Sequence, residues 1–151
     1  MDLNILTDNK KIKYYNLAKH IGDNFSKDPN TKVGALLLYP DTLQIISTGY
    51  NGFPRGITEN PERWERPHKY NYVVHAEMNM IYNSAKNGSS VNGSIAVITL
   101  FPCNNCALAL IQSGISTILT SKPNFDDPKW GTSFKISHDI LTEANINIIY
   151  I

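Results

Sequence analysis

Two cysteines separated by two residues, in the segment LFPCNNCA, give the first sign of chemistry in this chain. Cys103 and Cys106 follow a proline and a predicted strand, so they fall on the first turn of a predicted helix. Residues three positions apart share a helix face, and both sulfurs can therefore reach one ion. A C-x-x-C pair alone fits a redox pair, a structural metal site or part of a catalytic metal site.

A histidine and a glutamate in the segment HAEMNM extend the candidate site. His75 adds an imidazole to two thiolates, a set that suits Zn²⁺, whose catalytic sites keep three protein ligands and one position for water. Glu77 follows two residues later and is placed to take a proton from that water and deliver it to a leaving group. H-x-E followed by P-C-x-x-C is typical of zinc-dependent nucleobase deaminases. The sequence therefore predicts a catalytic zinc site.

Two other interpretations of these residues remain open at this point. A thioredoxin-like redox pair occupies the same strand–helix junction, but it gives His75 and Glu77 no role. A purely structural zinc needs a fourth ligand and gives Glu77 no role. The histidines available as a fourth ligand are His20, His68 and His138.

Length and composition predict one domain over residues 1–151. The net charge of +1 provides no strong field for attracting nucleic acid or a membrane surface. The segment MDLNILTDNKK lacks the pattern of a signal peptide, and no apolar run reaches a membrane-spanning length, so we expect a cytoplasmic location. Two cysteines favour thiol or metal chemistry over a disulfide scaffold.

The elements that must position these residues alternate in a regular order. An amphipathic helix precedes a hairpin of two apolar strands, and a long polar loop precedes three helix–strand pairs. This order predicts a three-layer α/β/α fold with a five-stranded mixed sheet. The predicted helices cover 10–25, 75–86, 104–113 and 133–144, the strands 33–39, 43–49, 94–100, 116–120 and 146–151, and the loop 50–71.

Several longer segments resemble the cytidine and deoxycytidylate deaminase superfamily, and within it the deoxycytidylate (dCMP) deaminases, including those of phages. The segments are SKDPNTKVGALL, STGYNGFPRG, KYNYVVHAEMNMIYN, LFPCNNCA and IQSGIS. The resemblance implies a cytidine-deaminase-like fold and zinc-dependent hydrolysis of dCMP to dUMP and ammonia, for thymidylate supply. Alternatives are a deaminase that also accepts dCTP or a free nucleoside, a nucleic-acid base deaminase, and a zinc-stapled interaction domain without turnover.

The resemblance also implies roles for single residues. The three ligands named above would hold one zinc per subunit, and Glu77 would protonate N3 of cytosine and then the departing ammonia. The backbone N–H of Ala76 would hold O2 of the base. Asn51, in GYNG, would contact the sugar, although an Asn before Gly52 also fits a simple turn.

A dCMP substrate requires a cation for its phosphate. Lys27 and Arg55 are the predicted substrate-binding cations. Arg55 is preferred because the glycines and proline around it allow a close backbone approach, and because Arg suits bidentate phosphate contact. The wider candidates in the long loop are Arg63, Arg66, His68 and Lys69.

Regulation and assembly are expected from the resemblance alone. Relatives that respond to dCTP and dTTP use the GYNG segment, which makes Gly49, Tyr50, Asn51 and Gly52 candidate effector-binding residues. The segment SKPNFDDPKWGTSF lacks the tyrosine that such relatives carry there. The resemblance also implies a homo-oligomer, with a hexamer favoured. We expect no nucleic-acid or membrane partner.

Overall fold

The computed structural model describes residues 5–151, and the first four residues of the predicted domain lie outside the described part. All the predicted helices and strands are present, with ends that differ by up to two residues from the prediction. In chain order they are α1 (Asp8–Phe25), β1 (Gly34–Leu38), β2 (Ile45–Tyr50), α2 (Pro61–Trp64), a 3₁₀ helix (His68–Asn71), α3 (Ala76–Lys86), β3 (Ile95–Ile98), α4 (Asn104–Gln112), β4 (Thr117–Thr120), α5 (Gly131–Glu143) and β5 (Asn147–Tyr150).

The strands form one five-stranded sheet in the order β2-β1-β3-β4-β5. β1 pairs antiparallel with both β2 and β3, whereas β3, β4 and β5 are parallel to one another. This arrangement confirms the predicted hairpin and the predicted mixed sheet. The helices between the parallel strands provide the crossover connections that such pairs require.

Side chains alternate between the two faces of the sheet because successive residues of a strand point to opposite sides. Leu36 and Leu38 of β1 pack with Ala18 of α1 on one face. Ala35 and Leu37 of the same strand belong to the core on the other face, where α3, α4 and α5 lie. The three-layer α/β/α fold is confirmed, with one helix on one face and three on the other.

The long loop between β2 and α3 is ordered, as its aromatic residues and prolines indicate. Asn60 caps α2 by accepting a hydrogen bond from the Arg63 N–H, and Pro61 occupies a favourable early helical position. The rings of Phe53 and Trp64 stack with their centroids 4.2 Å apart. The loop therefore forms its own small cluster and returns the chain to the start of α3. Over residues 5–151, the structure contains no helix that is both long and apolar enough to cross a membrane.

Candidate active site

Two helix starts bring the predicted metal ligands together. His75 is the N-cap residue of α3 and Cys103 is that of α4, and neither side chain caps its own helix. His75 Nδ1 lies 3.6 Å from Cys103 Sγ and 3.4 Å from Cys106 Sγ. The three ligand atoms all lie within 4.8 Å of one another. The juxtaposition that the sequence predicted is therefore present.

These distances fit a tetrahedral zinc site. Zinc–sulfur and zinc–nitrogen bonds of about 2.3 and 2.0–2.1 Å at a tetrahedral angle separate the two ligand atoms by about 3.5–3.6 Å. The two cysteines are buried and are free thiols. Within residues 5–151 the ligand group has three members, and His20, His68 and His138 do not belong to it. A donor set of one nitrogen and two sulfurs leaves a fourth position, as in catalytic zinc sites.

Charges at the site favour metal binding over an inert pair of thiols. Hydrogen bonding from the Cys106 thiol, and then from His75, holds the pKa of Cys103 well below its usual range despite burial. Cys103 also lies at a helix N-terminus, which stabilises a thiolate. Thiolate is the form that binds zinc, so the site is prepared for a metal. A redox pair gives no reason for His75 to contact both sulfurs.

Glu77 occupies the second residue of α3, beside the ligands but outside their group. Its side chain is buried, with 5% exposed, and burial raises its pKa to about 7. A carboxyl group with a pKa near neutrality can both accept and donate a proton at the working pH. Ala76, the first residue of α3, has an N–H without an intrahelical acceptor, as at any helix start.

A cleft opens directly above these groups. Apolar side chains form its walls, and the Trp130 ring lies edge-on to the His75 ring, with centroids 6.5 Å apart. Charged and aromatic residues form its rim, where the Lys129 ammonium contacts the Tyr70 hydroxyl. The cleft thus combines an apolar slot, suited to a flat ring, with a cationic entrance.

Asn51 lines the same cleft and is buried. Its Oδ1 accepts a hydrogen bond from the Val33 N–H at 2.9 Å, and its Nδ2 donates to the Thr31 carbonyl at 2.8 Å. These partners are 18 and 20 positions away in the sequence, so the side chain does not serve a local turn. Contact of Asn51 with a substrate sugar stays a prediction.

The two predicted phosphate-binding cations lie elsewhere. The Lys27 ammonium is exposed and pairs with Glu59 at 3.1 Å, while Arg55 donates to Asn83 Oδ1 at 3.0 Å. Neither side chain lines the cleft above the metal ligands, and binding of a substrate phosphate by either residue stays a prediction. The long loop turns Arg55 toward the outer side of α3, which the sequence pattern did not reveal.

The cations that do line the cleft are Arg66, Lys69 and Lys129. Arg66 and Lys69 were among the wider candidates, whereas Lys129 and Trp130 were missed. A general rule could have located Lys129 and Trp130. Ligands bind beyond the carboxyl ends of parallel strands, where the loops after adjacent strands meet. The loop after β4 should therefore have been placed beside the loop after β3, which carries the cysteines.

The candidate effector residues surround the end of β2. Gly49 packs tightly beneath the start of α3, and Tyr50 stacks on Phe25 with ring centroids 5.9 Å apart. Gly52 forms a short antiparallel bridge with Val74. These contacts give Gly49 and Gly52 structural roles, and binding of an effector at this segment stays a prediction.

Comparison with known proteins agrees with the fold and the metal site. Residues 8–122 match the family model described as the cytidine and deoxycytidylate deaminase zinc-binding region. This chain belongs to that family of zinc-binding deaminases. The cytidine/deoxycytidylate deaminase membership predicted from the sequence is confirmed.

Several relatives of this chain are deoxycytidylate deaminases by name. A probable deoxycytidylate deaminase of Caenorhabditis elegans is 40% identical, covering 97% of this chain and 77% of the relative. The human deoxycytidylate deaminase is 35% identical, covering 82% of this chain and 71% of that protein. The crystal structure of a dCMP deaminase from the cyanophage S-TIM5, in complex with dCMP and dUMP, has a TM-score of 0.78 at 23% identity. It matches 96% of this chain and 98% of that one, and shows the shared fold.

Proposed function

We propose that this protein is a zinc-dependent dCMP deaminase that hydrolyses dCMP to dUMP and ammonia, and so supplies dUMP for thymidylate synthesis. The observation that carries this conclusion is the convergence of His75, Cys103 and Cys106 beside a buried, non-ligating Glu77 at the floor of a cleft. Curated relatives named deoxycytidylate deaminases support the choice of dCMP among cytosine compounds.

The residues at the floor of the cleft account for the proton movements of hydrolysis. Zinc, when bound by His75 and the two cysteines, supplies a Lewis acid that activates water for attack on C4 of cytosine. Glu77 takes a proton from the attacking water and delivers it to N3. It then moves the proton of the resulting C4 hydroxyl to the amino group, so that the C4–N bond breaks as the C4 carbonyl forms. The products are a uracil ring and ammonia. The Ala76 N–H, at the positive end of α3, holds O2 of the base.

The rim of the cleft offers the phosphate subsite. Arg66 and Lys129 are both exposed cations that line the entrance, on opposite loops. We therefore assign the phosphate to these two residues in place of Lys27 and Arg55. Arg66→Ala and Lys129→Ala should each raise KM for dCMP while leaving kcat/KM for deoxycytidine nearly unchanged. Arg55→Ala serves as the comparison, and a larger effect there than at Arg66 would restore the assignment of Arg55.

Ammonia release tests the function directly. The zinc-loaded protein should release ammonia from dCMP with a higher kcat/KM than from dCTP, deoxycytidine or CMP. A preference for dCTP would replace the monophosphate substrate by a triphosphate. Absence of ammonia release from dCMP, at one zinc per chain, would overturn the proposal.

Deamination within a nucleic acid is the second candidate. The structure of a tRNA A34 deaminase shares the fold, with a TM-score of 0.56 at 22% identity. The net charge of +1 argues against a phosphate-tracking surface, because nucleic-acid binding depends on many Lys and Arg contacts. A cytosine-containing oligonucleotide should therefore be a much poorer substrate than dCMP.

Assembly and regulation complete the proposal. The homo-oligomer, with a hexamer favoured, and control by dCTP and dTTP rest on the resemblance to regulated deaminases. A cytoplasmic location is proposed with them. Sedimentation of the purified protein tests the assembly. Assays of dCMP deamination with added dCTP or dTTP test the regulation. Gly52→Ala should change the response to the nucleoside triphosphates if the GYNG segment binds them.

A further inference from the structure

A buried ion pair lies in the wall of the catalytic cleft, apart from the groups that carry out the hydrolysis. The Lys69 ammonium is 2.6 Å from Asp28 Oδ2, and the two side chains are only 7% and 1% exposed. Both residues line the cleft. Desolvation of two charges offsets most of their attraction, so a buried pair adds little net stability on its own. Its position beside the substrate-binding groups calls for another role.

The Asp28 carboxylate collects four hydrogen-bond donors. Oδ1 accepts from the backbone N–H groups of Asn30 and Thr31, at 2.9 and 3.1 Å. Oδ2 accepts from Lys69 Nζ at 2.6 Å and from Asn51 Nδ2 at 3.3 Å. Burial opposes its ionisation, but the hydrogen bonds from Lys69 and the two amides outweigh burial and keep the pKa of Asp28 below its ordinary value. Asp28 is therefore charged and saturated with donors.

The same network determines how the Asn51 amide is turned. Its two Nδ2 hydrogens are directed to the Thr31 carbonyl and to Asp28 Oδ2. Its Oδ1 accepts one hydrogen bond, from the Val33 N–H, and an amide oxygen has two lone pairs. The atom of Asn51 with capacity left for a ligand is thus the oxygen, an acceptor. A sugar hydroxyl, acting as donor, is the substrate group that matches it.

Lys69 links this network to the opposite side of the cleft. It belongs to the 3₁₀ helix, and its backbone N–H and carbonyl bond to Glu65 and Val73, at 2.9 Å each. The ion pair therefore joins the segment after α1 to the segment just before α3. Without the charge of Lys69, Asp28 Oδ2 would lose its ionic partner. The hydrogen bond that Oδ2 accepts from Asn51 Nδ2 would then no longer be fixed.

We propose that Lys69 and Asp28 are positioning residues for the nucleoside part of the substrate. Their ion pair holds the Asn51 amide so that its oxygen accepts a hydrogen bond from the sugar hydroxyl. The proposal rests on the proposed function, because a sugar contact of Asn51 presupposes a nucleotide substrate. Neither residue takes part in the proton transfers at the base.

Single charge-removing variants test this role. Lys69→Met and Asp28→Asn keep the approximate shape of each side chain and remove one charge. We expect kcat/KM to fall by about tenfold or more, through KM, and by the same factor for dCMP and for deoxycytidine. Lys69→Arg, which keeps the charge, should recover part of the loss. A loss restricted to dCMP would make Lys69 a phosphate ligand and would overturn the positioning role.

The double variant separates positioning from simple stabilisation. Asp28→Asn combined with Lys69→Met leaves no unpaired buried charge, so its thermal stability should recover relative to each single variant. Its KM should remain raised, because Asn51 then keeps its bonds to Val33 and Thr31 but loses the charged acceptor that fixes its second Nδ2 hydrogen. A KM that recovers together with the stability would overturn the proposal. Glu59→Gln is the matched control: it breaks the exposed ion pair with Lys27, which ties the segment after α1 to an earlier part of the long loop, and should leave KM unchanged.

Asn51→Ala distinguishes failure of this inference from failure of the function beneath it. It should raise KM at least as much as Lys69→Met does. If Asn51→Ala raises KM and Lys69→Met does not, the positioning role is wrong and the sugar contact stands. If Asn51→Ala has no effect, the sugar contact and the positioning role both fail, while ammonia release by the unaltered protein continues to support dCMP deamination.

Discussion

Glu77 is proposed as the residue that moves protons during the hydrolysis. It is buried beside the metal ligands, and burial raises its pKa to about 7. Glu77→Gln keeps the shape of the side chain but cannot carry a proton, so kcat should fall by about 10²–10⁴-fold. Ammonia release measures the loss. A kcat near that of the unaltered protein would refute the assigned role.

The metal content of the same variant provides the necessary second measurement. Glu77 is not a member of the ligand group, so Glu77→Gln should still bind one zinc per chain. Glu143→Gln, at the end of α5, is the matched control and should leave both zinc content and kcat unchanged. A loss of zinc in Glu77→Gln alone would make the carboxylate a ligand.

Residue types explain why the sequence predicts the metal ligands but does not reveal which cations line the cleft. Cysteine and histidine are rare, and a fixed spacing at two helix starts restricts what they can do. Lysine and arginine are common on every surface, and their partners depend on how loops fold. Arg55 was selected for its neighbours in the sequence, yet it bonds to Asn83 on α3. Lys129 lies on a distant loop and reaches the cleft only through the fold.

Among the secondary-structure elements, the contact between β2 and α3 determines where His75 and Glu77 lie. Only glycine fits at position 49, because the helix approaches the strand closely there. A Cβ atom at this position would overlap the Ala76 carbonyl oxygen and come within 2.5 Å of Met80 N. Asn79 strengthens the contact by donating to the Tyr50 carbonyl at 2.7 Å.

Gly49→Ala should therefore affect stability and catalysis together. We expect the free energy of unfolding to fall by about 1–3 kcal/mol, because the added methyl forces the backbone of α3 to shift. We also expect kcat to fall, because the shifted residues carry the ligand and the acid. Urea denaturation and ammonia release measure the two effects. Gly52→Ala, whose added Cβ has its nearest neighbour 3.8 Å away at Tyr50 Cε2, should cost less stability. Equal stabilities of the two variants would contradict this account.

The regular elements were predictable because their apolar residues follow the periods of helices and strands. The contacts of the long loop were not predictable, since they join segments that meet only in the folded chain. Asn60 and Pro61 could have indicated the start of α2. The stacking of Phe53 on Trp64, and the burial of Lys69 against Asp28, had no signal in the local pattern. Segments separated by tens of residues meet there, and such pairings require the complete fold.

At the scale of the whole molecule, the sheet brings distant segments together at one end of its strands. β1 and β3 are adjacent and antiparallel, while β3 and β4 are adjacent and parallel. The segment before β1, the loop after β3 and the loop after β4 therefore meet at one end of the sheet. The start of α3 enters the same region from the face that packs on β2. The cleft exists because four separate parts of the chain meet, so its integrity should depend on the metal that links two of them.

Removal of the metal tests this dependence and separates a catalytic zinc from a structural one. A ligand that binds only the folded state stabilises it, so a chelator should lower the Tm of the unaltered protein, and added zinc should restore it. Glu77→Gln should show the same loss and recovery of Tm. Ammonia release, in contrast, should return with zinc only in the unaltered protein. Cys103→Ser should start at a lower Tm and respond weakly to the chelator. A bound ion that bridges α3 and α4 must contribute to the stability of both helices. If the chelator leaves the Tm of the unaltered protein unchanged, His75, Cys103 and Cys106 do not hold the metal.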